Sequence, residues 1–237
     1  MVSPMLLLHE VHRVRGAEED KFEAAFRDGW LPELAKGDDA RLLYFMHLAH
    51  GSGRAYTVVT VTGVRDGAAW ERIVGRVRDG DLRSWAHDVD QLRHTVHGKA
   101  LVTVPWAPPL VELDVVPTTP QNHDLTLFME DTAWPHDGML DDYLEAARTH
   151  YAPSIAEGRG RGILELLTAF QTAWGTGRRS EVVLWQRIVD NERLKNLLLT
   201  EVPPEYRAPG TWMNDALRVR DDWESRLLRT TAWSPLT

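Results

Sequence analysis

The feature that most constrains this chain is that its two halves repeat each other. Gly51-Ser52-Gly53-Arg54 returns as Gly175-Thr176-Gly177-Arg178, an offset of 124. Trp30-Leu31-Pro32 returns as Tyr151-Ala152-Pro153, an offset of 121. Ser84-Trp85 returns as Thr211-Trp212, an offset of 127 that also pairs Asp88 with Asp215, Arg93 with Arg220 and Trp106 with Trp233. Collinear anchors with slowly growing offsets describe a tandem duplication with short loop insertions in the second copy. The chain has 237 residues, 43% of them hydrophobic, enough for two units that each bury a core. The expected domains are 1–106 and 123–237, joined by a stiff linker over 107–122 that carries Pro108, Pro109, Pro117 and Pro120. Leu110–Val116 has the composition of an added edge strand.

Each copy reads as the same series of elements. A β-rich run, Met5–Val14 or Leu125–Trp134, precedes a helix with Phe22, Phe26 and Trp30 on one face, or Tyr143, Ala147 and Tyr151. Two strands follow, joined by the Gly-x-Gly turn. Asp66 and Asp190 are expected helix N-caps, and Ser84 and Thr211 cap a later helix. That helix is expected to carry Trp85, Val89, Leu92 and Val96 on its apolar face, and to end with His94 and His97 on a solvated one. A last strand, Lys99–Val104, closes the first copy. The counterpart in the second is short or degenerate, around Leu227–Trp233. The order is β-α-β-β-α-β, so the fold class is α+β with two tandem ferredoxin-like units.

Composition excludes several functions. The net charge is −8, from 27 basic and 35 acidic residues, so no nucleic acid and no membrane is expected as a partner. The absence of cysteine excludes disulfides, zinc–thiolate sites and a cysteine nucleophile. No run of about 18 apolar residues is present and the N-terminal apolar run is too short for a signal sequence, so the expected location is cytoplasmic. The Gly-x-Gly turns join strands and open no helix, which fails the context of a dinucleotide loop. Gly-Arg-Gly-Arg-Gly at 158–162 reads as a solubilising turn.

Candidate chemistry sits on the strands. His9 and His12 lie on the first strand, His47 and His50 on the second. Residues three apart on a strand face opposite sides, so neither pair clamps one metal and no metal site is expected. Imidazole suits acid–base work near neutral pH. His47 and His9 are therefore the expected catalytic groups, with Tyr44 orienting the substrate. Trp30, Trp85, Phe26, His12 and His87 are expected around it. His9 is matched with Met129, Glu10 with Glu130, His47 with Gln171 and His50 with Trp174. The histidine count thus favours the first copy as the active one. Glu165, Gln171 and Trp185 form a rival cluster in the second, where Glu165 either has a partner such as Arg187 or lines a polar cavity.

The Trp-headed late helix and the aromatic first helix ending in Trp/Tyr-x-Pro resemble the dimeric α/β-barrel superfamily, NIPSNAP-like proteins in particular. The resemblance implies that the two units pack as an intrachain dimeric α/β barrel, a monomeric pseudo-dimer or a higher homo-oligomer. It implies a small-molecule enzyme that needs no cofactor and acts by acid–base chemistry on an aromatic or polyketide-like substrate, as a cyclase, isomerase or cofactor-independent monooxygenase. A non-catalytic ligand-binding or scaffold protein is the first alternative. A haem-binding or haem-degrading protein, with one of these histidines as axial ligand, is the second.

Overall fold

In a computed structural model, residues 5–156, 162–176 and 179–237 are described. Residues 158–161 of the Gly-Arg-Gly-Arg-Gly turn, and Gly177 and Arg178 of the second Gly-x-Gly turn, lie outside them. The chain forms two compact units. The first comprises residues up to Val102, Val111–Thr126 and Leu227–Thr237. The second comprises Thr103–Leu110 and Leu127–Arg226.

The first unit runs β1 (Leu6–Val14), α1 (Glu19–Ala24), a π-helical turn (Ala25–Trp30), α2 (Leu31–Ala35), β2 (Ala40–Leu48), β3 (Thr57–Val64), α3 (Gly67–Arg78), α4 (Arg83–Leu92) and β4 (Arg93–Thr103). Its strands are antiparallel in the order β4-β1-β3-β2. That is the ferredoxin-like arrangement. Leu228–Thr230 adds three pairs along β2. Leu6, His12 and Val14 turn to the helices, where Phe22, Phe26, Trp30, Leu34, Phe45 and Val89 make the core.

The second unit runs β5 (Leu127–Trp134), α5 (Leu140–Ala146), a π-helical turn (Ala147–Tyr151), α6 (Ala152–Ala156), β6 (Leu164–Thr172), β7 (Val182–Ile188), α7 (Asn191–Leu199), α8 (Trp212–Asp215) and β8 (Asp222–Thr230). Its strand order is β8-β5-β7-β6, with the Asp222–Arg226 part of β8 in this unit. Both units repeat a β-bulge, at Leu43 and Leu167, and both repeat the π turn in the first helix. Bulges and π turns each insert one residue into a regular ladder, and their recurrence fixes the equivalence of the copies.

Asp66 and Asp190 cap α3 and α7, accepting from the Ala69 and Arg193 amides at 2.8 and 2.9 Å. Other local expectations are corrected. Ser84 lies inside α4, whose N-cap position is Leu82, and Thr211 Oγ1 donates to the Tyr206 and Ala208 carbonyls instead of capping. The helix from Trp85 stops at Leu92, so His94, Val96 and His97 stand on β4. Helical periodicity and strand alternation agree over so short a run, and pairing with β1 decides for the strand. The last strand of the second copy is full length and begins at Asp222. Leu113–Val115 is a single 3-10 turn, where an edge strand was expected.

Candidate functional site

Strand register corrects the matching of the copies. Thr62 and Gln186 sit next to the two bulges at an offset of 124; Leu8 pairs with Thr62, and Met129 with Gln186. The offset on the first strand is therefore 121, not 120. His9 matches Glu130, Glu10 matches Asp131 and His12 matches Ala133. A slip of one residue exchanges the two faces of a strand, so this correction decides which side chains face the helices.

Histidine asymmetry points to the first unit, but there the space between sheet and helices is filled. His12 lies 5.1 Å from Phe22 and 5.5 Å from Phe26, and Phe26 lies 5.4 Å from Phe45, measured between ring centroids. Trp85 stacks on Trp30 at 4.5 Å. Trp30 Nε1 donates to Thr62 Oγ1 at 3.1 Å. Burial, then the nearby charge of Arg93, drives the His12 pKa well below the usual imidazole value. Its Nε2 meets Thr60 Oγ1 at 3.0 Å and its Nδ1 meets Arg93 Nη1 at 2.8 Å.

His47 also faces the helices. Its Nε2 is 3.1 Å from Glu23 Oε2 and its Nδ1 is 3.2 Å from Glu19 Oε1. Glu23 also accepts from Trp233 Nε1 at 2.7 Å. The His47 hydrogen bond, more than the Trp233 one, holds the Glu23 carboxyl below its ordinary range against the cost of burial. His9 and Tyr44 are buried on the opposite face, in one row across Val61. The structure thus groups Phe26, Trp30, Trp85 and His12, sets His47 beside them, and separates all of these from His9 and Tyr44. His87 is exposed on α4. Among the rival residues, Glu165 takes the paired alternative, with Arg187 at 2.5 Å, Gln171 is half-buried on β6, and Trp185 is buried between Phe128 and Phe170.

An open cavity of about 320 Å³ lies in the second unit. Ring bulk is lost on this side of the second unit. His12, Phe26 and Phe45, of which Phe26 touches the other two rings, correspond to Ala133, which lines the cavity, and to Ala147 and Ala169, buried in the cluster that shares Tyr143, Tyr151 and Leu184 with its walls. Apolar walls come from Met129, Ile163, Leu184 and Trp212.

The polar groups form a chain along one wall. Tyr151 Oη donates to Gln186 Oε1, repeating the Trp30–Thr62 link of the first unit. Gln186 Nε2 donates to Asp131 Oδ2 at 2.9 Å, and Ser225 Oγ donates to Asp131 Oδ1. Asp131 lines the cavity, and most of its carboxyl is shielded from water by the surrounding protein. This desolvation raises its pKa above the usual carboxylate range, outweighing the Ser225 and Gln186 hydrogen bonds and the charge of Arg220. Burial pushes the Tyr143 phenol up to about 12, against the lowering effect of Arg220, and Tyr151 is raised further for the same reason. Both phenols are proton donors at any physiological pH. Arg220 lines the same cavity, 5% exposed, with its guanidinium carbon 5.9 Å from the Trp212 ring and 5.3 Å from the Trp223 ring.

Sequence reasoning named none of Asp131, Arg220, Gln186 and Ser225 as site residues. The usable signal was the loss of ring bulk, Phe26 to Ala147, within an otherwise matched helix.

No histidine is among the residues lining the cavity, and His12 and His47 each have both ring nitrogens engaged. This cavity therefore offers no axial histidine to a haem. Among the described residues no group of three or more metal-ligating side chains is assembled, and no helix is long and apolar enough to cross a membrane.

Comparison with solved structures places this architecture. A candidate monooxygenase from Lactobacillus acidophilus NCFM matches with a TM-score of 0.61 at 9% identity, covering 97% of this chain and 95% of its own. An anthrone oxidase-like protein matches at 0.59 and 7% identity, covering 97% and 92%. The fold is that of the dimeric α/β-barrel superfamily. A mutant chlorite dismutase from Candidatus Nitrospira defluvii shares it at a TM-score of 0.54 and 9% identity, covering 98% and 92%. NIPSNAP-family structures align with only 43–45% of the chain. No protein-family model matches the sequence, and no curated protein is significantly similar to it.

Proposed function

We propose that the second-unit cavity binds a planar aromatic or polyketide-like molecule and transfers a proton from it, in the manner of a cofactor-independent oxygenase. The observation that carries this reading is Asp131, a desolvated carboxyl at the wall of an apolar cavity, oriented by Gln186 and Ser225. A carboxylate with a raised pKa is a stronger base than one in water, and its two donors fix its direction. Arg220 stands where negative charge left on the substrate is stabilised, and apolar walls strengthen that interaction. The likeness to an anthrone oxidase-like fold suggests a probe with matching chemistry. Asp131 takes a proton from the anthrone methylene carbon, and the electron pair moves onto the ring carbonyl oxygen. Molecular oxygen is the oxidant. It gives one oxygen atom to that carbon, and its other atom leaves as water with the two methylene hydrogens, so one anthrone and one O₂ yield one anthraquinone and one water.

The test is oxygen uptake and quinone absorbance with a hydroxylated anthrone. Asp131→Asn is expected to lower turnover by about 10²-fold or more, the usual weight of a general base. Undiminished turnover in that variant rejects the assignment. Tight binding of the probe without turnover by the wild type points to a non-catalytic ligand-binding protein.

A further inference from the structure

Arg220 differs from its counterpart in what satisfies it. In the first unit each of the three Arg93 nitrogens has a partner: Nη1 meets His12 Nδ1 at 2.8 Å, Nε donates to Asp90 Oδ1 at 3.0 Å, and Nη2 donates to the same carboxylate. The equivalent positions in the second unit are Ala133 and Leu217, and neither side chain has an acceptor. Arg220 keeps two tryptophan faces and the neighbouring Tyr143 hydroxyl, yet its Nε is enclosed with no hydrogen-bond partner among the described residues. Asp131, whose carboxyl feels the charge of Arg220, accepts hydrogen bonds from Gln186 and Ser225. A guanidinium has five donors and a fixed charge, and burying it without acceptors is costly. Drift after duplication would be expected to discard such a group. Instead the arginine is present while the two residues that satisfy its counterpart are absent, and the space beside it is open.

We infer that the ligand of this cavity supplies an acceptor to the Arg220 guanidinium where it lines the open space, and so is a planar aromatic molecule bearing an acidic oxygen, a carboxylate or an ionised phenol, held by Arg220. The guanidinium fork matches a carboxylate in geometry, and the tryptophan faces on it hold the fork in one orientation. Ala133, Leu184 and Ile163 give the ring system an apolar slot. The inference rests on the cavity being the ligand site. It does not depend on Asp131 being a base.

The experiment compares 2-naphthoate with 2-naphthamide, which share ring and shape but differ in charge, by calorimetric titration of the full chain. The wild type is expected to bind the naphthoate at least about tenfold more tightly, the margin of one charge-assisted pairing. Arg220→Met is expected to abolish that preference while still binding the amide. Arg220→Lys, which keeps the charge and loses the fork, is expected to retain part of it and guards against a methionine variant that does not fold. Equal affinity of the wild type for the two probes, or a preference that survives Arg220→Met, overturns the inference and leaves the cavity as a ligand site. Failure of both probes to bind overturns the two readings together.

Discussion

At the residue scale the equivalent carboxyls of the two copies behave alike. Glu10 and Asp131 both have pKa values raised chiefly by burial. The sign of the resulting pH dependence follows from linkage. A carboxyl that is harder to ionise when folded binds more protons in the native state between its unfolded and folded pKa. Stability contributed by the protonated group is therefore complete below the unfolded value and is lost as pH rises through the folded one. Asp131→Asn removes this penalty. The difference in melting temperature between Asp131→Asn and wild type is expected to grow in favour of the variant above about pH 4, the ordinary aspartate value, and then level off. A difference independent of pH contradicts the raised pKa. The carboxyl that serves the proposed chemistry thus weakens the fold at neutral pH, a common trade at functional sites. Residue types alone did not reveal this pair. Reading the strands at an offset of 120 matched Glu10 with Glu130, whose side chain lies on the other face against Arg226 at 3.1 Å.

At the element scale the π turn in the first helix sets the geometry of both units. It shifts the backbone by one residue, so Trp85 Nε1 reaches the Ala25 carbonyl at 2.8 Å. Gly29 lies under the same indole, and a Cβ there would be 2.8 Å from Trp85 Cδ1. Gly29→Ala is expected to cost about 1–3 kcal/mol in urea denaturation, the usual penalty for overpacking, with probe binding in the second unit unchanged. The face of this helix also decides between core and cavity. Ala147→Phe, which restores the ring found at Phe26, is expected to abolish naphthoate binding and leave the fold intact. Binding that persists would place the ligand elsewhere. The reverse change, Phe26→Ala, is expected to destabilise the first unit by about 3–5 kcal/mol, because the surrounding rings do not collapse into the space. Both sets of helical residues were legible as apolar stripes. What periodicity does not encode is whether the facing strand supplies Phe45 and His12 or Ala169 and Ala133.

At the scale of the whole molecule, the chain end belongs to the first unit although it follows the second repeat. Trp233 is buried against Phe45 at 4.9 Å and donates to Glu23, Phe45 N donates to Ser234 Oγ at 3.2 Å, and Leu236 N donates to Leu43 O at 3.0 Å. Trp233→Ala is expected to cost about 3–5 kcal/mol, the range for losing a buried tryptophan, read as a lower denaturant midpoint. A change below about 1 kcal/mol would show that the tail contributes little. The sequence matched Trp233 with Trp106 but gave no sign of where either packs, since equal sequence positions do not require equal neighbours. By itself the sequence determined the duplication, the element order and the caps at Asp66 and Asp190. Those follow from local periodicity and turn chemistry. Only the tertiary structure decided which copy holds the open space. That depends on side chains from three separate segments meeting at one place, and on a strand register in which one residue exchanges the two faces.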